Sequence, residues 1–177
     1  QHVLSAELAA GGDFEFYKLG YDYEFFYPLL DRLVFSFRTD FDGGDGRDDL
    51  SELPFYEKYF AGGVRSLRGY KAFSLGPLDS NGNTKGGDFK SIYTAELIFP
   101  PPWAEEPGST RFSFFLDAGN VFEDVQAYDR AELRTAFGVS FNWFSPIGPL
   151  TFSLAEALNA RSGDDTESFQ FAIGTLF

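Results

Sequence analysis

The chain has 177 residues, with 27 Asp+Glu against 14 Lys+Arg for a formal net charge of −13, and it contains no Cys and no Met. That balance argues against a nucleic-acid partner, because nothing would neutralise phosphates, and the missing cysteines exclude disulfides, thiolate metal sites and a cysteine nucleophile. No run approaches the roughly 18 apolar residues that cross a bilayer as a helix, yet 23 Phe, 9 Tyr and 2 Trp exceed what a soluble core of this size needs.

Alternation of apolar and polar residues predicts eight strands, at roughly 2–10, 13–28, 31–42, 86–100, 110–122, 131–144, 148–158 and 167–177. The opening Gln1-His2-Val3 carries no initiator Met and no signal sequence, so a processed product or an excised piece is expected. In the second strand Tyr17, Leu19, Tyr21, Tyr23, Phe25 and Tyr27 oppose Lys18, Gly20, Asp22 and Glu24. In the third, Leu33, Phe35, Phe37 and Phe41 oppose Val34, Ser36, Arg38, Asp40 and Asp42. The fifth sets Phe112, Phe114, Leu116 and Ala118 against Ser113, Phe115, Asp117 and Gly119. The sixth sets Leu133, Thr135, Phe137, Val139, Phe141 and Trp143 against Arg134, Ala136, Gly138, Ser140 and Asn142. The last sets Phe169, Phe171, Ile173 and Phe177 against Ser168, Gln170, Ala172 and Gly174. Turn chemistry at Gly11-Gly12-Asp13, Pro28 to Asp31, Pro146 to Pro149 and Ser162 to Asp165 separates the strands, and a single domain over 1–177 is expected.

A soluble sandwich and a membrane barrel both alternate in this way. Strands of about 10–15 residues fit a tilted bilayer crossing better than the shorter strands of a sandwich. Tyr27, Trp103 and Trp143 near strand ends suit an interfacial girdle. The expected fold is therefore all-β, an antiparallel transmembrane β-barrel whose apolar rows face lipid.

One interruption, about 43–85, is far longer than a hairpin loop. Its approach, "DGGDGRDDLSE", reads as solvated loop, whereas "FAGGVRSLRGYKAFSLGP" mixes Phe, Leu, Val and Tyr among glycines and should pack against something. The neighbouring Asp40 and Asp42, two apart on one face, could bind a cation but read better as solvated lumenal charge.

"FYEKYFAGGVRSLRGYKAFSLGP", "GGDFKSIYTAELIFPPP", "FSFFLDAGNVF", "WFSPIGPLTFSLAEAL" and the terminal "FQFAIGTLF" occur in that order. They resemble the BamA-type outer-membrane barrel assembly proteins of Gram-negative bacteria, over nearly the whole chain. The resemblance reaches only the second half of that family's sixteen-stranded barrel; its periplasmic POTRA domains and first eight strands have no counterpart here. It implies an extracellular loop folded back into the lumen, its Arg-Gly-Tyr tip at Leu67, Arg68, Gly69 and Tyr70, with Glu96 and Asp117 as the arginine's lumenal partners. The alternation supports that pairing, since Glu96 and Asp117 both lie mid-strand on the polar face. Buried carboxylates need a partner, and a guanidinium fork suits two of them. It also implies a C-terminal assembly signal at Phe169, Phe171, Ile173 and Phe177. Leu67 stands where the family often has Val, and Asp88 where Asn is usual. Glu156 falls on the lipid-facing parity of its strand, which is tolerable near an interface.

The resemblance implies an assembly and insertion factor in the outer membrane, with lipid, unfolded outer-membrane proteins and, in the full-length protein, accessory lipoproteins as partners. A two-partner-secretion transporter, which shares the Arg-Gly loop, is the alternative. So is a small autonomous barrel: eight antiparallel strands can close on themselves, which is slightly favoured over two copies joining as a self-dimer. No enzyme, cofactor or metal is expected. His2 is the only histidine and has no acid–base partner in register, and no phosphate-cradling, zinc or calcium motif is present.

Overall fold

The computed structural model describes residues 1–11, 15–47, 51–101, 109–146 and 148–174. Aromatic and β-branched residues at alternate positions build eight long antiparallel strands: β1 (His2–Ala9), β2 (Phe16–Leu30), β3 (Leu33–Gly46), β5 (Phe89–Phe99), β6 (Thr110–Phe122), β7 (Arg134–Ser145), β8 (Gly148–Ala157) and β10 (Phe169–Ile173). Each pairs with its successor, so the sheet runs β1-β2-β3-β5-β6-β7-β8-β10. Two short strands, β4 (Gly69–Tyr70) and β9 (Thr166–Glu167), form a second antiparallel pair.

The rows of apolar residues lie on the exposed face. Leu4, Leu19, Phe25, Tyr27, Phe114, Leu116, Phe137, Leu154, Phe169, Phe171 and Ile173 are all exposed there. In water this would be an untenable patch; against hydrocarbon it is the contact surface. A straight row of five phenylalanines, Phe99, Phe112, Phe141, Phe152 and Phe171, runs across directly paired positions of five strands. Successive ring centroids lie 6.1, 4.9, 6.2 and 4.9 Å apart. Cross-strand aromatic pairs of this kind lock register, so the row holds five strands in step on the lipid side.

Three sequence expectations change. β3 extends through Gly46 because Gly43, Gly44 and Gly46 pair with Leu19, Lys18 and Phe16, so the first part of the acidic glycine-rich stretch is strand and the long connection spans 47–88. Just beyond that stretch Leu53 is buried. Asp40 and Asp42 are neither free lumenal charge nor a cation site: Lys90, opposite Asp42 on β5, reaches their carboxylates at 3.0 and 2.6 Å. Finally, closure into a small eight-stranded barrel is not seen among the described residues. β1 and β10 stand at opposite ends of the sheet order and do not pair among the described residues. Trp103, expected in the girdle, and Phe177 lie outside the described residues. Glu156 sits one residue from the end of β8, level with exposed Phe137.

Candidate functional site

The long connection returns across the polar face of the sheet, and its tip is buried there. Leu67 and Tyr70 are fully buried, and Arg68 is 8% exposed. Arg68 is fixed by Asp117 of β6 and Glu96 of β5. Its Nε and Nη2 donate to the two oxygens of Asp117, each at 2.8 Å, and Nη1 donates to Glu96 Oε1 at 2.6 Å. The backbone N–H of Arg68 also donates to Asp117, at 3.1 Å. Asp117 is thus fully buried and accepts three hydrogen bonds, so both of its oxygens are partnered away from water. Burial works against the Arg68 charge, but the two carboxylates outweigh it and hold the guanidinium above its ordinary value.

The guanidinium also lies flat on a ring. Its central carbon is 3.5 Å from the centroid of Phe115, the residue paired with Glu96. Phe115 faces inward among Ser113 and Asp117, an aromatic on the polar parity of its strand, and the sequence offered that anomaly as its only signal. The ring has room because Gly138 stands opposite it on β7. A Cβ at 138 would come within 2.7 Å of the Phe115 ring and 2.1 Å of the Leu154 carbonyl oxygen.

Beside the arginine, Gly69 adopts φ +86°, a left-handed conformation that favours glycine. It lands on Ala136 and Ala155, whose methyl groups would stand 3.1 and 3.3 Å from any Cβ added there. Small residues on two adjacent strands thus form the floor on which the tip rests. Tyr70 fills the next space and places its hydroxyl near Asn159 Oδ1 and the Thr135 carbonyl. Toward the short-turn end of the strands, a polar cavity of about 190 Å³ opens beneath the tip, with Arg38, Arg65, Arg111 and Glu24 on its walls.

The loop has a second hold at its base. Asp88, which precedes β5, accepts from the Leu53 N–H at 3.0 Å and from Lys58 Nζ at 3.2 Å, and Lys58 also reaches Glu52 at 2.7 Å. Lys18 of β2 pairs with Glu57 at 3.0 Å. Burial pushes the Asp88 carboxyl up, more than Leu53 and Lys58 pull it down. Burial lowers Lys58 too, but hydrogen bonds and charge from Glu52 and Asp88 together hold it above its ordinary value. The folded state therefore takes up the Asp88 proton more readily than the unfolded chain does. Stability from this site rises as pH falls from neutral through the raised value, and levels off below the ordinary carboxylate range. Asp88→Asn should flatten that part of the profile while keeping the Leu53 bond; thermal unfolding between pH 4 and pH 7 (about the carboxylate range and above it) measures it.

Of the remaining sequence-predicted residues, Phe169, Phe171 and Ile173 share the exposed face of β10, away from the loop. His2 Nδ1 lies 2.9 Å from the Tyr21 hydroxyl at the exposed edge of the sheet.

An antiparallel sheet that is apolar toward the outside, polar on the other face and crossed there by an arginine-tethered loop is the wall of an outer-membrane β-barrel. Residues 2–177 match the Omp85 superfamily domain, and the chain belongs to that superfamily. It is 33% identical over 206 residues to the outer membrane protein assembly factor BamA of Neisseria meningitidis serogroup B, covering 98% of this chain and 26% of that protein. It is 28% identical over 173 residues to BamA of Nitratidesulfovibrio vulgaris, covering 94% of this chain and 21% of that protein. Among solved structures, BamA from Haemophilus ducreyi lacking POTRA domains 1–3 superposes with a TM-score of 0.84 at 28% identity, over 96% of this chain and 37% of that one. The chain thus spans about a quarter of the length of the curated relatives it matches. It is an outer-membrane chain of Gram-negative type, like these relatives.

Proposed function

We propose that the chain is the loop-bearing, C-terminal part of the barrel of an assembly factor that folds other β-barrel proteins into the outer membrane. The observation that carries this reading is the loop anchored on the polar face through Arg68, Asp117 and Glu96, in a chain that is similar to assembly factors over nearly all of its length. In hydrocarbon an unpaired strand edge leaves N–H and C=O groups unsatisfied, and an arriving chain has the same problem. An edge strand that can separate from its neighbour offers those groups partners by β-augmentation. β10 would form one side of that seam, with strands elsewhere in the longer protein supplying the other side. The anchored loop would keep the polar face ordered while the seam changes. Unfolded outer-membrane proteins are the proposed clients and lipid the surroundings. Accessory lipoproteins would act on the full-length protein, and a second copy of this chain is the other candidate to cover the open edges.

The test is reconstitution of the intact protein in lipid vesicles with an unfolded eight-stranded client, following its conversion to a heat-resistant folded form. Acceleration over protein-free vesicles is expected. A client that folds no faster, while steady ion conductance appears instead, would replace this reading with a transporter.

A further inference from the structure

The loop tip touches more than the wall beneath it. Gln170, on the inward face of β10, is 5% exposed, and its Nε2 donates to the Tyr70 carbonyl at 2.7 Å. The same carbonyl accepts from the Gly63 N–H at 2.8 Å. Gly69 and Tyr70 pair with Glu167 and Thr166, three and four residues ahead of Gln170. The Lys71 N–H donates to the Asp165 carbonyl at 2.9 Å. The tip that Arg68 seats on β5 and β6 is therefore also bound, along its other edge, to the segment leading into β10. We propose that Gln170 is a positioning residue through which the seated loop latches the edge strand into the sheet. The role assigned to β10 as a seam rests on the functional reading above; the latch itself does not.

β10 needs such a latch. Its ladder to β8, Phe169–Ile173 against Leu154–Leu150, is the shortest in the main sheet, and β8 is its only partner there, among the described residues. Strands paired on one side by a short ladder open at low free energy. An additional buried hydrogen bond and a crossing strand pair shift that opening by an amount set by whether the tip is seated. If seating favours a closed edge, a closed edge must favour seating by the same factor.

This reciprocity is measurable, without any client, by amide hydrogen exchange on the intact protein in lipid. The readouts are the exchange of 169–173 relative to 112–116 of β6, and of the tip residues 67–70. Gln170→Leu removes the donor and keeps an apolar body; it should raise relative exchange of β10 by about tenfold, the worth of one buried hydrogen bond. The tip amides should loosen by a similar factor. Arg68→Ala, which alters no contact to β10, should raise β10 exchange to the same extent as Gln170→Leu. Gln170→Glu, which cannot donate when ionised and stands beside Glu167, and Arg68→Lys give graded versions where a stronger variant does not fold. The latch is overturned if Arg68→Ala or Arg68→Lys frees the tip while β10 stays within about twofold of the parent, below the tenfold expected for one bond. Because the exchange needs no substrate, a failed latch and a failed assembly function give separate results.

Discussion

Replacing Arg68 with alanine is expected to release the loop tip and make the segment 60–76 cleavable by protease in the folded, lipid-embedded protein. The expected cost is about 3–5 kcal/mol, the range for removing one partner of a buried ion pair. Its origin lies in what stays behind. Asp117 is fully buried and would lose the guanidinium that takes up both of its oxygens. Phe115 would also lose the cation stacked on it. Asp117→Ala should match Arg68→Ala in size, and the double variant should cost little more than either, since they remove one interaction. Glu96→Ala should do less, about 1.5–3 kcal/mol, because Glu96 supplies one bond and its side chain keeps 20% of its exposure. Arg68→Lys should recover only part of the loss, as an ammonium cannot reach two carboxylates with the planar fork that a guanidinium lays over the ring. Unchanged protease protection in Arg68→Ala would remove the anchor.

Gly138→Leu should be nearly as damaging, although residue 138 touches neither the arginine nor its acids. Any Cβ there meets both the Leu154 carbonyl and the Phe115 ring, so the β7–β8 ladder and the platform under Arg68 must shift together. Overpacking alone costs about 1–3 kcal/mol, and displacing the ring forfeits a desolvated cation–π contact of about 2 kcal/mol. Gly138→Ala combined with Phe115→Leu separates the two effects, since the smaller side chain relieves the ring clash and leaves the carbonyl clash in place. Thermal unfolding in lipid reports the sum, and loop proteolysis reports the part that reaches Arg68. A Gly138→Leu protein with parental melting and a protected loop would show that the ring platform carries nothing.

Strand order, face assignment and the inward parity of Glu96 and Asp117 were readable because alternation with period two is written in every strand, whereas the seat of Arg68 came from the family resemblance. Parity puts Glu96 and Asp117 on one face before any coordinates exist. Phe115 and Gly138 were visible as letters, but their meaning depends on cross-strand register, which alternation does not supply. Lys90 escaped for the same reason: only the β3–β5 register sets it against Asp40 and Asp42. Gln170 escaped because its partner is a backbone carbonyl 100 positions away. β3 ran longer than expected because its glycines looked like a loop; pairing with β2 overrides their poor strand propensity.

The partners of the tip also bear on the order of events as the chain matures. Arg68 reaches residues 28 and 49 positions downstream, and Tyr70 reaches 65, 89 and 100 positions downstream. Adjacent hairpins can zip locally, whereas bringing such distant points together costs chain entropy that nothing repays until the landing surface exists. Full docking of the loop tip is therefore a late step, completed only after the last hairpin has formed. A polypeptide halted short of that hairpin can offer Arg68 its two acids but leaves the Gly69–Tyr70 edge without Thr166, Glu167 and Gln170, and so carries a built-in mark of unfinished synthesis.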